Sequence, residues 1–402
     1  MMKPLDGITV VDLSIYVTGA FATEMLASQG ADVLKVERPG GGDPSRDAGP
    51  PFVDGESGYF MSLNYGKRSI ELDLQDERGL EILYDLCSDA DVFVENYRPG
   101  VAEKLGIGYE DIKRRNESII YCSISGFGDS GPWSDRPGFD IIMQALSGIM
   151  DVTGDPDSRP MKVGLPQTDL ITASWAAFGI MNGLFKRERT GEGDYFELAM
   201  FDAALTWLTK QAAKAFEGER PERMGTKDPV VAPYQVFEAA DGYLAGGVPN
   251  EKLWNQLCEA IDRLDLLADE RFTTLEDRVR NVDALESELE DTFTQRPVDE
   301  WLEILTEEYS LPFGPVLHVD EALECPQTEA RGTITDLDHS KIGTYPVVNH
   351  PIQFERSASG FDRHAPVLGE HTDEILLEHG YDRDELNELY DADIIGSDSK
   401  HT

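Results

Sequence analysis

Asp169 is the residue whose type and position most suggest chemistry. It closes the polar, turn-prone stretch Gly164-Leu165-Pro166-Gln167-Thr168-Asp169, and a long uncharged run from Leu170 to Phe185 follows it. Pro166 fixes its own φ and biases Leu165 away from helix. Thr168 or Asp169 is then placed to cap the helix that the apolar run predicts. The plain reading of Asp169 is a cap or a first-turn charge. The functional reading is a carboxylate nucleophile at a helix N-terminus, where the helix dipole favours its ionised form.

The histidines sharpen that choice. All seven lie at or after His318. Residues 1–317 therefore supply no Ser-His or Cys-His pair and no HExxH metal site. Chemistry in this part of the chain falls to carboxylates. The four cysteines, Cys87, Cys122, Cys258 and Cys325, form no CxxC pair, so no metal or redox motif is expected. Scattered cysteines suit a reducing interior.

Composition bounds the rest. The 402 residues carry 77 Asp+Glu against 35 Lys+Arg, a formal net charge of -42, yet 40% of them are hydrophobic. That is a globular chain with room for two domains, not an acidic disordered tail. Such a charge suits concentrated salt, where a Debye length of about 3 Å at 1 M screens self-repulsion. Nucleic acid and anionic membrane surfaces are poor partners for it. The first residues, MMKPLDGITVVDLS, lack the pattern of a signal peptide, and the Leu170–Phe185 run is short of the ~20 residues of a membrane helix. A cytoplasmic protein is expected.

The elements that must position Asp169 read as strand–loop–helix alternation. Gly7–Ser14 and Ala31–Glu37 are strand-like, with a helix over Thr18–Gln29 between them that Gly30 closes. This is a βαβ unit of a parallel sheet. Glu37 imitates the ribose-binding acid of a dinucleotide fold, but the GxGxxG fingerprint is missing, which argues against NAD. A long Gly/Pro-rich loop, Pro39–Gly58, follows. After Asn64–Leu74 come a helix over Asp76–Ser88, a strand over Asp91–Glu95 and a fourth strand over Ser118–Ser125. In an open α/β sheet, ligands bind beyond the strand C-termini, where these loops lie. Ala203–Phe216 reads as one helix and Glu217–Val231 as a linker. A short β region, Tyr234–Gly247, then leads to acidic helices. Their seam Val282, Leu285, Leu289 and Phe293 has helical spacing. Gly314–Val319 and Thr344–Thr372 are expected to return to the first domain. The boundaries read as 1–216 for the first part of a large domain, 217–231 for a linker, 232–320 for a small domain and 321–402 for the return.

Several loops together resemble the family III CoA-transferases, also called CaiB/BaiF. The resemblance runs through Gly30–Arg46, Val94–Tyr109 (VENYRPGVAEKLGIGY), Tyr121–Pro132, Pro137–Gly148, Val163–Asp169, Thr190–Asp194 and Ala365–Leu376. It implies an α/β fold: a Rossmann-like open parallel sheet in a large domain formed by both chain ends, a smaller inserted α+β domain, and an interlocked homodimer. It implies transfer of CoA from an acyl-CoA to a free acid, with CoA thioesters as substrates and no tightly bound cofactor. The family's catalytic Asp falls on Asp169, and its glycine loop on Gly246 and Gly247. Its CoA-binding positions fall on Arg38, Leu72, Asp73, Leu74, Gln75, Asn96, Tyr97, Arg98, Lys104, Pro137, Gly138, Phe139 and Asp140. Val17 and Ala20 depart from several members, which bears on acceptor choice. The resemblance suggests succinyl-CoA as donor and mesaconate or a similar C5 dicarboxylate as acceptor. A dicarboxylate needs a cation for its remote end, and Arg46 is the candidate. A related α-methylacyl-CoA racemase needs a His base where this chain has Phe139. A non-enzymatic acyl-CoA-binding protein would have no use for both Asp169 and the glycine turn.

Overall fold

The computed structural model describes residues 2–396, which divide into two compact units. The first consists of residues 2–147, 164–207 and 326–396; the second of Gly148–Val163 and Leu208–Cys325.

The first unit is built on one sheet. Its strands are β1 (Thr9–Asp12), β2 (Asp32–Glu37), β3 (Arg68–Leu72), β4 (Val92–Glu95), β5 (Ile120–Ser125) and β6 (Asp194–Ala199). They lie in the order β3-β2-β1-β4-β5-β6, all parallel. That is the order of a doubly wound nucleotide-binding sheet, with its switch point between β1 and β4. A short strand, Ile395–Gly396, pairs antiparallel with β3 at the edge. Val10, Val11, Val33, Leu34, Phe93 and Ile120 are wholly buried, as a sheet covered on both faces demands.

The helices that matter here are α1 (Thr18–Ser28), α2 (Gly58–Met61), α3 (Glu77–Asp89), α4 (Asp140–Leu146) and α5 (Gln167–Thr190). One layer is made where α1 and α5 pack together, with Ala22, Leu26, Ala173, Ala176, Ile180 and Leu184 in one core cluster with Val10 and Val33. On the other side, Ile82, Leu83 and Leu86 of α3 pack with Val11, Leu34 and Phe93. The α5 helix outruns the apolar stretch that predicts it, because its last turns are charged and still helical.

The second unit is α+β. Its antiparallel sheet has β8 (Tyr243–Gly247) between β7 (Tyr234–Glu238) and β9 (Phe313–Pro315). Its core is aromatic: Phe237, Trp254, Phe272, Phe293, Trp301 and Phe313. Leu285, Leu289 and Phe293 of the predicted seam are buried in the helix Val282–Phe293.

Four sequence expectations are corrected. The Gly314–Val319 segment does not return to the first unit, because Phe313–Pro315 completes the β7–β8 sheet. The expected helix Ala203–Phe216 is two helices, Met200–Thr206 and Thr209–Phe216. Arg68–Leu72, not counted as a strand, sits second from the sheet edge. The second unit also takes in Gly148–Val163 and Leu208–Val231, which the sequence boundaries assign to the large domain and linker.

Candidate active site

Asp169 lies in the first turn of α5, with only part of its surface open to solvent. The helix is not capped by Thr168 or Asp169, as the sequence suggests. Pro166 is its N-cap, and the capping carboxylate comes from elsewhere in the chain. Asp140 Oδ1 accepts hydrogen bonds from the Thr168 amide at 2.9 Å and the Thr168 hydroxyl at 2.7 Å. Gln144 Nε2 holds the other Asp140 oxygen at 2.8 Å. With Asp140 satisfying the helix end, Asp169 is released from that duty.

Asp169 Oδ1 instead accepts a hydrogen bond from the Thr18 hydroxyl at 2.7 Å, at the start of α1. Burial pushes the Asp169 carboxyl up to about 6, the Thr18 hydrogen bond pulls it back, and the Asp140 charge adds to the rise. Desolvation thus outweighs the help expected from the helix dipole. Tyr59, in α2, has its phenol raised by burial and then by the charge of Asp169. Loss of water and a raised pKa make a carboxylate more basic and a better nucleophile, provided it is ionised.

Beneath this corner lies a buried charged network. Asp12, at the end of β1, accepts from Ser14 Oγ at 2.5 Å, Thr23 Oγ1 at 2.6 Å and Lys67 Nζ at 3.0 Å. Burial opposes its charge, but the ammonium groups of Lys67 and Lys35 outweigh burial and hold its carboxyl below the usual range. Lys35 Nζ pairs with Asp43 Oδ2 at 2.9 Å. The other Asp43 oxygen accepts the Tyr16 amide at 3.2 Å and the Ser45 amide at 2.8 Å. Tyr16 carries a φ of 59°, an unusual conformation for a residue with a side chain. The network thus ties the loop after β1 to the loop after β2.

Of the residues expected to hold CoA, Arg38 and Tyr97 line one cavity, with Asn96 beside it, and Tyr97 and Arg98 line another. A cavity of about 200 Å³ is lined by Leu13, Ser14, Ile15, Lys35, Arg38, Asp43 and Tyr97, among others. Asn96 bridges its walls: Oδ1 accepts from the Ile15 amide at 2.9 Å and Nδ2 donates to the Ile15 carbonyl at 2.8 Å. A second cavity, of about 380 Å³, is lined by Tyr97, Arg98, Gly100, Glu103 and Tyr195, among others. Lys104 is exposed, at the end of the short helix Val101–Lys104. Asp73, Leu74 and Gln75 follow β3 at the same edge, with the Gln75 amide donating to Asp73 Oδ1 at 2.9 Å. Leu72 is in the core and pairs with Ile395, so its side chain packs the sheet. Pro137–Phe139 leads into α4 with Phe139 exposed. Gly138 is required by close approach, since a Cβ there would stand 2.8 Å from Gly126 Cα.

Arg46 and the glycine pair both have contacts within their own units. Arg46 Nε and Nη2 grip both oxygens of Glu37, at 2.8 and 2.7 Å, and Nη2 also reaches the Pro366 carbonyl. Its guanidinium stacks on Phe60 at 3.7 Å. Arg46 is thus committed within its own unit, and a substrate carboxylate would have to displace Glu37. Gly246 and Gly247 lie in β8, in the second unit. A Cβ on Gly246 would meet the Phe313 ring at 2.2 Å, and one on Gly247 the Tyr234 ring at 2.2 Å. Sheet packing accounts for both glycines by itself.

Thr18, Tyr59, Lys35 and Lys67 were missed as site residues. The signal is there for one of them: Lys35, like its neighbour Asp12, is a charge set inside an apolar strand run, which only a paired, buried role explains.

The CoA-transferase family III profile matches residues 5–372. The chain belongs to CoA-transferase family III. It is an enzyme of that family, and CoA thioesters and carboxylic acids are its substrates. Mouse succinyl-CoA:glutarate CoA-transferase is 37% identical over 396 residues, covering 98% of this chain and 91% of the relative. The succinyl-CoA:mesaconate CoA-transferase of Haloarcula hispanica is 38% identical over 390 residues, covering 94% and 97%. A solved CaiB/BaiF family protein from Brucella suis superposes with a TM-score of 0.84 at 37% identity, over 94% of this chain and 100% of that one. No helix among the described residues is long and apolar enough to cross a membrane.

Proposed function

We propose that this transferase moves CoA from succinyl-CoA to a C5 dicarboxylate, mesaconate first and glutarate second, through covalent intermediates on Asp169. The observation that carries the mechanism is the desolvated Asp169 carboxyl with one oxygen held by Thr18. The remaining oxygen attacks the thioester carbonyl and expels CoA thiolate, leaving a mixed anhydride on Asp169. The thiolate is a good leaving group, since a free thiol has a pKa near ~8.5. It then attacks Asp169 Cγ, releasing succinate and leaving an aspartyl-CoA thioester. The acceptor acid runs the two steps in reverse order.

The CoA nucleotide rests at the switch point, with Arg38 as the exposed cation of the first cavity and Asn96–Arg98 and Lys104 beside it. The acceptor class is supported by relatives named for glutarate and mesaconate. The charge of -42 supports a salt-rich cytoplasm as the working environment. A homodimer is supported by α5, where Trp175, Phe178, Met181 and Phe185 form an exposed apolar stripe at helical spacing. A racemase reading has no support from Phe139, an exposed phenyl ring with no proton to exchange.

The test is a CoA-exchange panel. With succinyl-CoA as donor, mesaconate and glutarate should accept CoA far better than oxalate or acetate, without deuterium entering the substrate α-position. Exchange restricted to monocarboxylates, or deuterium wash-in without CoA transfer, would refute the reading.

A further inference from the structure

Thr18 opens α1, and its side chain does not cap that helix: Val17 is the N-cap, with no side-chain hydrogen bond. A Thr within a helix ordinarily donates back to a carbonyl one turn earlier. At the first helical position there is no such intrahelical carbonyl. The hydroxyl donates outward instead, to Asp169 Oδ1 at 2.7 Å. Thr18 is buried, and α1 is packed along α5, so this contact joins two rigid elements.

We propose that Thr18 is a catalytic residue of this transferase, the oxyanion donor for the steps in which Asp169 Cγ is itself attacked. The proposal rests on the covalent reading above. In the mixed anhydride, Asp169 Cγ is doubly bonded to Oδ1 and singly bonded to the bridging oxygen. CoA thiolate forms a C–S bond to Cγ, and the C=O electron pair moves onto Oδ1. Collapse restores C=Oδ1, breaks the bond from Cγ to the bridging oxygen and releases the carboxylate. The acceptor carboxylate later adds to Cγ of the thioester in the same way, and collapse expels CoA thiolate. In both additions the negative charge gathers on the oxygen that the Thr18 hydroxyl already holds. The hydrogen bond strengthens as that charge forms, which is stabilisation of the transition state over the ground state. Two carbonyl centres react in this cycle. The substrate's needs its own donors, and Thr18 serves the protein's.

The same contact counters the rise that burial gives the nucleophile's titration. The groups facing Asp169 are the Asp140 carboxylate from α4, which raises it, the Tyr59 phenol from α2, and the neutral Thr18 hydroxyl, which lowers it.

The experiment compares the full-length enzyme with Thr18→Val, which keeps the shape without the donor, and Thr18→Ser, which keeps the donor. Each is mixed with succinyl-CoA alone and quenched, and the rate of CoA attachment to the Asp169 peptide is read by mass. Thr18→Val should form the adduct about 10²-fold more slowly, with the acid limb of kcat/KM moved to higher pH. Thr18→Ser should stay within a few-fold of wild type on both counts. Wild-type adduct formation in Thr18→Val with an unmoved acid limb would overturn the proposal. So would a Thr18→Ser enzyme as slow as Thr18→Val. Turnover by the wild-type enzyme with no adduct on Asp169 would overturn the covalent reading and this proposal together.

Discussion

In the first unit several of the charges nearest the sheet are buried and paired. Asp12 with Lys67 and Lys35 with Asp43 are all fully enclosed, and Glu37 with Arg46 nearly so. In the second unit the core is rings, and most charges lie outside. Arg263, Arg271, Asp265, Asp269 and Glu288 form a surface web over it. Arg278 is the exception, enclosed and bonded to the Ala232 and Phe272 carbonyls and to Glu251. A buried ion pair stabilises little against an apolar replacement, so its presence calls for another reason. In the first unit the pairs fix Tyr16 and the loops after β1 and β2 around the switch-point cavity. The second unit has an aromatic core of ordinary packing instead. Burial of charge marks where geometry must be held.

The contrast between exposed and enclosed charge can be broken by salt. Screening acts on the exposed acids and barely on the enclosed pairs. Lowering NaCl from molar to ~0.1 M should unfold the protein through self-repulsion of its surface. A melting temperature that ignores this change would contradict the salt-adapted reading.

The next largest effect should come from Lys67→Met, which leaves Asp12 charged and enclosed without its hydrogen-bonded ammonium. We expect a loss of ~3–5 kcal/mol in denaturant unfolding at molar salt. Adding Asp12→Asn should recover most of it. If the single variant is as stable as wild type, the network is not what holds this edge of the sheet.

Asp169 itself should act against stability. Its carboxyl is raised to about 6, so the folded state holds a proton that the unfolded chain releases near pH 4. Its cost is absent below about pH 4 and complete above about pH 6. Freshly prepared Asp169→Asn should therefore be more stable by ~1–3 kcal/mol at pH 7, with the gain gone by about pH 4. A gain that does not change with pH would disconnect it from this titration.

The smallest effect sharpens the other side. Arg280 of the second unit pairs with Glu276 at 2.6 Å while largely exposed. Arg280→Ala should change stability by no more than ~0.5 kcal/mol. A loss comparable to that of Lys67→Met would erase the distinction between the units.

Much of the first unit was legible in sequence because its strands are apolar runs and its helices carry ordinary stop signals, such as Gly30 after α1. β3 was passed over because Arg68, Ser69 and Glu71 give it no apolar signature; their partners, Asp32 and Glu37 among them, lie elsewhere in the chain. Long-range partners also hid the rest. That Asp140 caps α5, that Glu37 occupies Arg46 and that Thr18 touches Asp169 are contacts across 28, 9 and 151 positions. Phe313–Pro315 joins its sheet through pairing with Leu244–Gly246, which local composition does not encode.

The most direct test of the central claim is chemical. The enzyme is incubated with succinyl-CoA without acceptor, digested, and its peptides weighed. CoA should be found as a thioester on the peptide containing Asp169, hydroxylamine should intercept it and stop turnover, and Asp169→Ala should bind CoA yet transfer none. Near-normal transfer by Asp169→Ala, or steady turnover with no adduct on that peptide, would contradict the account.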